Sequence, residues 1–375
     1  MNNSPQFYKN IWGDLQGNMN SNVWPAVTAA WQDKRYLESF YYLLDYVNPL
    51  VRAMFANTEQ TEFNVPHGSV LVHISIKDQM IEINCPLVDI TDATRIPLLR
   101  KVAELNFHPL TVSQIKLSGN QLVFHFKCAV DTAEPYKMYY IMKEICQTAD
   151  RYDDEFREKF KAKNILEPKI VQLSEEQKEQ AWRQTNEIIN ENAQYLAYFD
   201  SQRWYGSSVD FLVIALKRID LCTQIKGYLR TELDRVLAEL TNNNVTAAER
   251  IQLGKNFLHH IQEAGKDSFV KNIYQAEVFI PEKWRTSAEQ AKTNTEATLN
   301  QVQKYHNDKN YIGAAIEALY SIYDLFYKNN MDNIVNAILF DALANAAGKS
   351  WEETSGILLN GLRSISTIHS TPTTV

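Results

Sequence analysis

The stretch VLVHISIKDQMIEINCPL, residues 70–87, decides the fold. Val70, Val72, Ile74 and Ile76 alternate with Leu71, His73 and Ser75, and beyond a turn at Lys77 and Asp78 the residues Ile81, Ile83, Cys85 and Leu87 alternate with Glu82 and Asn84. Successive strand side chains point to opposite faces. A period of two with one uniformly apolar face and one mixed face therefore predicts a half-buried β-hairpin. A second hairpin, QIKLSGNQLVFHFKCAV (114–130), turns at Ser118, Gly119 and Asn120. It sets Leu122, Phe124, Phe126 and Cys128 on one face and Val123, His125 and Lys127 on the other. Residues 62–65, before Pro66, His67 and Gly68, are placed to add a strand ahead of the first hairpin.

Helical periods surround these strands. Between residues 26 and 55, Leu37, Phe40, Leu44, Val47, Val51 and Met54 recur at three- and four-residue steps, with a kink or break expected at Pro49. Residues 94–107 read as a helix that accommodates Pro97 in its first turn, where a backbone donor is free. A long helix begins near Glu134, its stripe formed by Met138, Met142, Ile145, Ala149, Tyr152 and Phe156. The order of helix, two or three strands, helix, two strands, helix predicts an α+β module with helices packed on an antiparallel sheet.

The segment 60–158 resembles the type III secretion chaperone-like fold, and within it the bacterial YbjN-type proteins. The resemblance rests on the first hairpin, the helix TRIPLLRKVAELNF (94–107), the second hairpin and the helix PYKMYYIMKEICQTADRYDDEF (135–156), with residues 31–55 in the first-helix position. It implies a non-enzymatic, protein-binding module, since such domains commonly dimerise or hold a client segment.

The chain divides into an N-terminal arm (1–25), the α+β chaperone-like module (26–160), a linker (161–173) containing Pro168, a helical region (174–365) and a flexible Ser/Thr-rich tail (366–375). Ser174 with Gln177, Thr246 with Glu249 and Ser350 with Glu353 match the capping box, in which two side chains reciprocally satisfy free amide donors. Leu212, Ile219, Leu229, Leu233, Val236 and Leu240 predict one long helix through 208–240. No second copy follows the stretch NYIGAAIEAL (310–319), which resembles a tetratricopeptide junction, so an all-α bundle is expected.

The formal charge is −7, with 15 Lys/Arg against 19 Asp/Glu in residues 1–160 and 23 against 26 beyond. Neither part is basic, which argues against nucleic acid as a partner. The four cysteines form no CxxC pair, no secretory signal is evident, and apolar stretches fall short of the roughly 20 residues needed to span a bilayer. A cytoplasmic protein without membrane association is expected.

Catalytic signatures are absent from the sequence: no GxxxxGK[ST], GxGxxG or GxSxG stretch occurs. His259 and Glu263 share a helix face and could hold a metal with a third ligand such as His306, yet the pattern reads as a solvated face. His260 beside them belongs to the same stretch. Asp150, Asp153, Asp154 and Glu155 read as a hydrated helix end. No cofactor, metal or catalytic residue is assigned. The mixed strand face, with Leu71, His73, Met80, Val123 and His125, is the expected partner-binding surface unless the helical region covers it, and His73 and His125 could lie close enough to confer pH sensitivity. The first reading is a chaperone-like adaptor for a protein partner or a second copy of the chain. An enzyme with its site in the helical region or at the module junction, and a structural assembly component, remain open beside it.

Overall fold

A computed structural model describes residues 3–12, 19–167 and 169–368. The predicted first helix is a hairpin of α1 (Trp24–Gln32) and α2 (Tyr36–Val47), reversed at Lys34, whose φ of 62° takes the left-handed region. After the break around Pro49 comes the short α3 (Val51–Phe55). The strands β1 (Glu62–His67), β2 (Val70–Lys77) and β3 (Met80–Asp89) lead to α4 (Arg95–Phe107), then to β4 (Gln114–Ser118), β5 (Gln121–Ala129) and the long α5 (Pro135–Phe160). The strands pair antiparallel in the order β1-β2-β3-β5-β4. Val72, Ile74, Ile81, Ile83, Cys85, Leu122 and Phe124 are buried beneath α2 and α5, while Leu71, His73, Glu82, Asn84, Val123 and His125 stay half-buried on the other face. Each fully buried side chain of this size contributes about 1.5–3 kcal/mol.

The segment after α5 is stitched to both parts of the chain. Its β6 (Lys163–Asn164) pairs with the end of β3, and its β7 (Ile170–Gln172) pairs with a distant strand introduced below. Pro168 lies outside the described residues, as do 13–18 of the arm and 369–375 of the tail.

Helices α6 (Glu175–Ser201), α7 (Tyr205–Thr223), α8 (Gly227–Leu240) and α9 (Ala247–Val270) follow, then β8 (Tyr274–Ala276), β9 (Trp284–Thr286), α10 (Ala288–Asn307), α11 (Tyr311–Lys328), β10 (Asn329–Met331), α12 (Asn333–Ala346) and α13 (Trp351–Ser366). All three expected capping boxes form, and a fourth joins Ser287 to Gln290 at α10. Two expectations need correction. The region is largely helical but not all-α, because β8 pairs with β7 and β9 runs parallel to β10. Residues 208–240 are two helices, not one. Gln224 (φ 52°) and Gly227 (φ 59°) turn the chain, and a Cβ on Gly227 would collide with the Asp154 carboxylate of α5. Glycine is what permits α8 to begin so close to α5.

The modules interlock through exchanged segments. Residues 3–12 precede the α+β module yet run into the helical one: Ser4 is buried, its Oγ donates to Ala346 O at 2.5 Å, and Ile11 N–H donates to Cys222 O at 3.0 Å. In the opposite direction Phe279 and Ile280, after β8, belong to the core of the α+β module.

Candidate functional site

The face named from the sequence is a polar ladder running across all five main strands. Asn64, His73, Asn84, His125 and Gln114 are consecutive cross-strand partners on β1, β2, β3, β5 and β4. The two imidazoles do not meet. β3 lies between them, His73 Nδ1 bonds Asn64 Oδ1, and His125 Nδ1 bonds Asn84 Oδ1 at 2.9 Å. Burial lowers the pKa of both histidines, with Lys116 adding to the effect at His125. Leu71 and Val123 sit on the same face, half-buried, and Met80 lies near the β2–β3 turn. α5 covers the opposite face, so the helical module reaches the sheet through α5 and the β1–β2 turn.

At the outer edge α4 carries two apolar stripes. Leu98, Val102 and Leu105 face the core. Ile96, Leu99, Ala103 and Phe107 recur at three- and four-residue steps on the other side and are exposed, Phe107 by 89% and Ile96 by 69%. Val112 and Leu117, beside and on β4, add exposed apolar surface at this edge. The edge strand itself is partly closed. Asn106 of α4 donates from Nδ2 to Ile115 O at 3.0 Å and accepts from Ile115 N–H at 2.7 Å, so one outward rung of β4 is already paired. The second stripe on 94–107 was readable in the sequence as a repeat at helical spacing, although only the core-facing one is needed to predict the helix.

The third feature is the module junction. Its hub is the β1–β2 turn: Gly68 N–H donates to Glu277 O at 2.8 Å, Ile280 N–H donates to His67 Nδ1 at 3.4 Å, and Asp150 Oδ1 accepts from Ser69 N–H at 2.6 Å and Ser69 Oγ at 3.0 Å. Beside it lies a cavity of about 330 Å³ lined from both modules. Arg230 reaches Asp220 at 2.9 Å and Asp234 at 2.8 Å, while Arg151 of α5 reaches Asp234 at 3.0 Å. Burial alone would raise the Glu282 carboxyl, but Lys226, Arg230 and Arg151 hold it well below the usual carboxylate range. Burial lowers His67 despite Asp150 and Glu282, so the imidazole is neutral, and with Nδ1 accepting from Ile280 its proton sits on Nε2. These residues come from segments scattered over the chain, and no spacing in the sequence brings them together.

The acidic cluster on α5 requires a correction. It is not a hydrated helix end: Asp150 and Asp153 are buried against the β1–β2 turn at Gly68 and Ser69, and Glu155 is buried on the side where Lys159 links it to Tyr228 of α8. Burial and the neighbouring Asp150 push Asp153 up to about 7. His259 and Glu263 do pair, at 3.1 Å, on an exposed face of α9, whereas His306 bonds Ser355 instead. No group of three or more potential metal ligands forms among the described residues. No described helix is long and apolar enough to cross a membrane. No family model and no curated protein matches the chain.

Proposed function

We propose that the protein is a protein-binding adaptor that docks its partner on the outer edge of the α+β module. The observation that carries this reading is the second apolar stripe of α4, Ile96, Leu99, Ala103 and Phe107, left in water beside the exposed Val112 and Leu117. A contiguous apolar surface of this kind gains free energy when another protein covers it. The preferred mode is a helix or apolar surface laid against α4. Strand addition on β4 is disfavoured because Asn106 already occupies the Ile115 rung. The polar ladder of the open sheet face, with Leu71, His73, Met80, Val123 and His125, is the second surface in this reading. Its paired histidines and amides suit a polar rim better than a hot spot.

The experiment compares the full-length protein with an Ile96→Asp/Phe107→Asp variant and a Leu71→Asp/Val123→Asp variant. Light-scattering mass reads self-association, and cross-linking in host lysate followed by reconstitution with the purified partner reads hetero-association. Both substituted pairs include solvent-exposed or half-buried positions, and circular dichroism checks their folding. A stoichiometric complex lost with the α4 pair supports the reading. A complex insensitive to the α4 pair, or a protein that stays monomeric and reconstitutes with nothing, overturns it.

A further inference from the structure

We infer that the junction cavity binds a small, uncharged, multiply hydroxylated molecule, a monosaccharide or similar polyol, whose hydroxyls bridge loosely spaced ion pairs from the side. This inference stands apart from the adaptor reading and uses none of the surface assigned there. At about 330 Å³ the cavity lies at the small end of the ~300–1,000 Å³ range of ligand pockets.

The charge of the lining selects against ions. The cations Lys226, Arg230 and Lys283 are matched by the carboxylates Asp150, Asp220 and Glu282, and His67 is neutral. A phosphate or an organic cation entering such a site loses its hydration without a net opposite charge to meet it. A neutral ligand avoids that cost.

The spacing of the ion pairs selects for hydroxyls. Lys226 stands 3.7 Å from Glu282, Arg230 stands 3.8 Å from the same carboxylate, and Lys283 stands 3.7 Å from Asp220. All three separations exceed hydrogen-bond length, roughly 2.7–3.2 Å, so these donors and acceptors keep unused valence. Asp220 Oδ2 and the Tyr274 hydroxyl, both on lining residues, are buried without a hydrogen-bond partner. A hydroxyl is at once donor and acceptor. Beside an ammonium and a carboxylate, it accepts from the first and donates to the second, which a purely accepting or purely donating group cannot do. Gln275 and Trp12 also line the cavity, and the Trp12 indole N–H is a further buried donor without a partner. Water can bridge the same pairs one molecule at a time, and a polyol replaces several waters in one binding event.

The test uses the full-length protein at pH 7 with D-glucose, D-ribose and myo-inositol as neutral probes, and glucose 6-phosphate and ethanolamine as charged comparators. Ligand-observed NMR and thermal unfolding read binding. Gln275→Trp, at an exposed position, fills the cavity from its wall and leaves the ion pairs intact. Glu282→Gln removes the carboxylate shared by two loose pairs and serves only if it folds. The expected result is saturable binding of at least one neutral polyol, weakened tenfold or more by Gln275→Trp, with the charged comparators weaker. The inference is overturned if no neutral probe saturates up to tens of millimolar, if a charged comparator binds most tightly, or if Gln275→Trp binds as the parent does.

Discussion

Asp150 of α5 rests directly against Gly68 at the β1–β2 turn, so closely that a Cβ on Gly68 would overlap its carboxylate. The same carboxylate accepts from the Ser69 N–H and hydroxyl, and Gly68 itself donates to Glu277 of the helical module. One turn therefore holds the sheet, α5 and the segment that carries Phe279 and Ile280 into the core.

Gly68→Ala tests that relationship. Gly68 has a φ of 58°, where a side chain costs about 1–2 kcal/mol, and the collision with Asp150 adds to this. Urea unfolding is expected to show a loss of about 2–4 kcal/mol. Asp150→Ala in the Gly68→Ala background should recover part of it, because the two changes share one contact. A Gly68→Ala loss below about 0.5 kcal/mol removes the turn from its place as hub.

Asp153 sets a pH dependence of defined sign. Its folded carboxyl keeps a proton up to about 7, because of burial and Asp150, whereas an unfolded aspartate releases it near ~3.9. The folded state therefore binds more protons between these values, and this group's contribution to stability falls as pH rises from about 4 to 7 and then levels. His67 works in the opposite direction. Lowered by burial, it stays neutral when the unfolded imidazole charges, so its contribution is lost as pH falls below ~6.5. Asp153→Asn removes only the first effect. Stability relative to the parent should improve steadily from pH 5 to 7 and then hold, read by urea unfolding across that range. A pH-independent difference would show that Asp153 is ionised throughout.

The sheet was legible because Val70 to Ile76 and Ile81 to Leu87 alternate cleanly, and one face of such strands has to be buried. Helix starts were legible wherever a hydroxyl and a Glu or Gln stood three residues apart, as at Ser174, Thr246 and Ser350. The break at Gly227 was not. Apolar residues continue from Leu212 and Ile219 in α7 to Leu229 and Leu233 in α8, and the left-handed Gln224 that ends α7 carries no glycine-like signal, while the approach of Asp154 explains the glycine at 227. The docking of residues 3–12 was hidden because Phe7, Tyr8, Ile11 and Trp12 follow no helix or strand period, yet they pack on the helical cores beside hydrogen bonds such as Asn10 Nδ2 to Leu221 O and Arg218 to Gln6 O. The junction cavity was invisible for a related reason. Most of its charges are paired across long sequence separations, as Lys226 and Arg230 with Glu282 or Lys283 with Asp220, and each alone reads as a solvated side chain.

Asn106→Ala should expose the edge of the sheet. The substitution leaves the Ile115 N–H and C=O open at β4, next to apolar side chains of α4. A loss of about 1–2 kcal/mol is expected from the two bonds. Concentration-dependent association should also increase, because an unpaired edge is a template for another strand. Sedimentation velocity reads the association. Unchanged stability and mass would mean that water replaces Asn106 without consequence.

Lys143 decides whether a ring face offsets the burial of an amine. Its Nζ lies 3.4 Å from the centroid of Trp284, it makes no ion pair among the described residues, and burial pushes its pKa down to about 8 against the opposing effect of Glu282. Between about 8 and the unfolded value near ~10.4 the unfolded state binds more protons, so this group's contribution rises with pH. Lys143→Met keeps an unbranched stem and a favourable sulfur–aromatic contact while removing the charge. If desolvation outweighs the cation–π attraction, typically ~0.5–2 kcal/mol, the variant is at least as stable as the parent at pH 7, and its advantage shrinks toward pH 10. A variant less stable by more than about 1 kcal/mol at pH 7, with the difference narrowing as the lysine deprotonates, would make the Lys143–Trp284 pair a net stabiliser of the junction between α5 and β9.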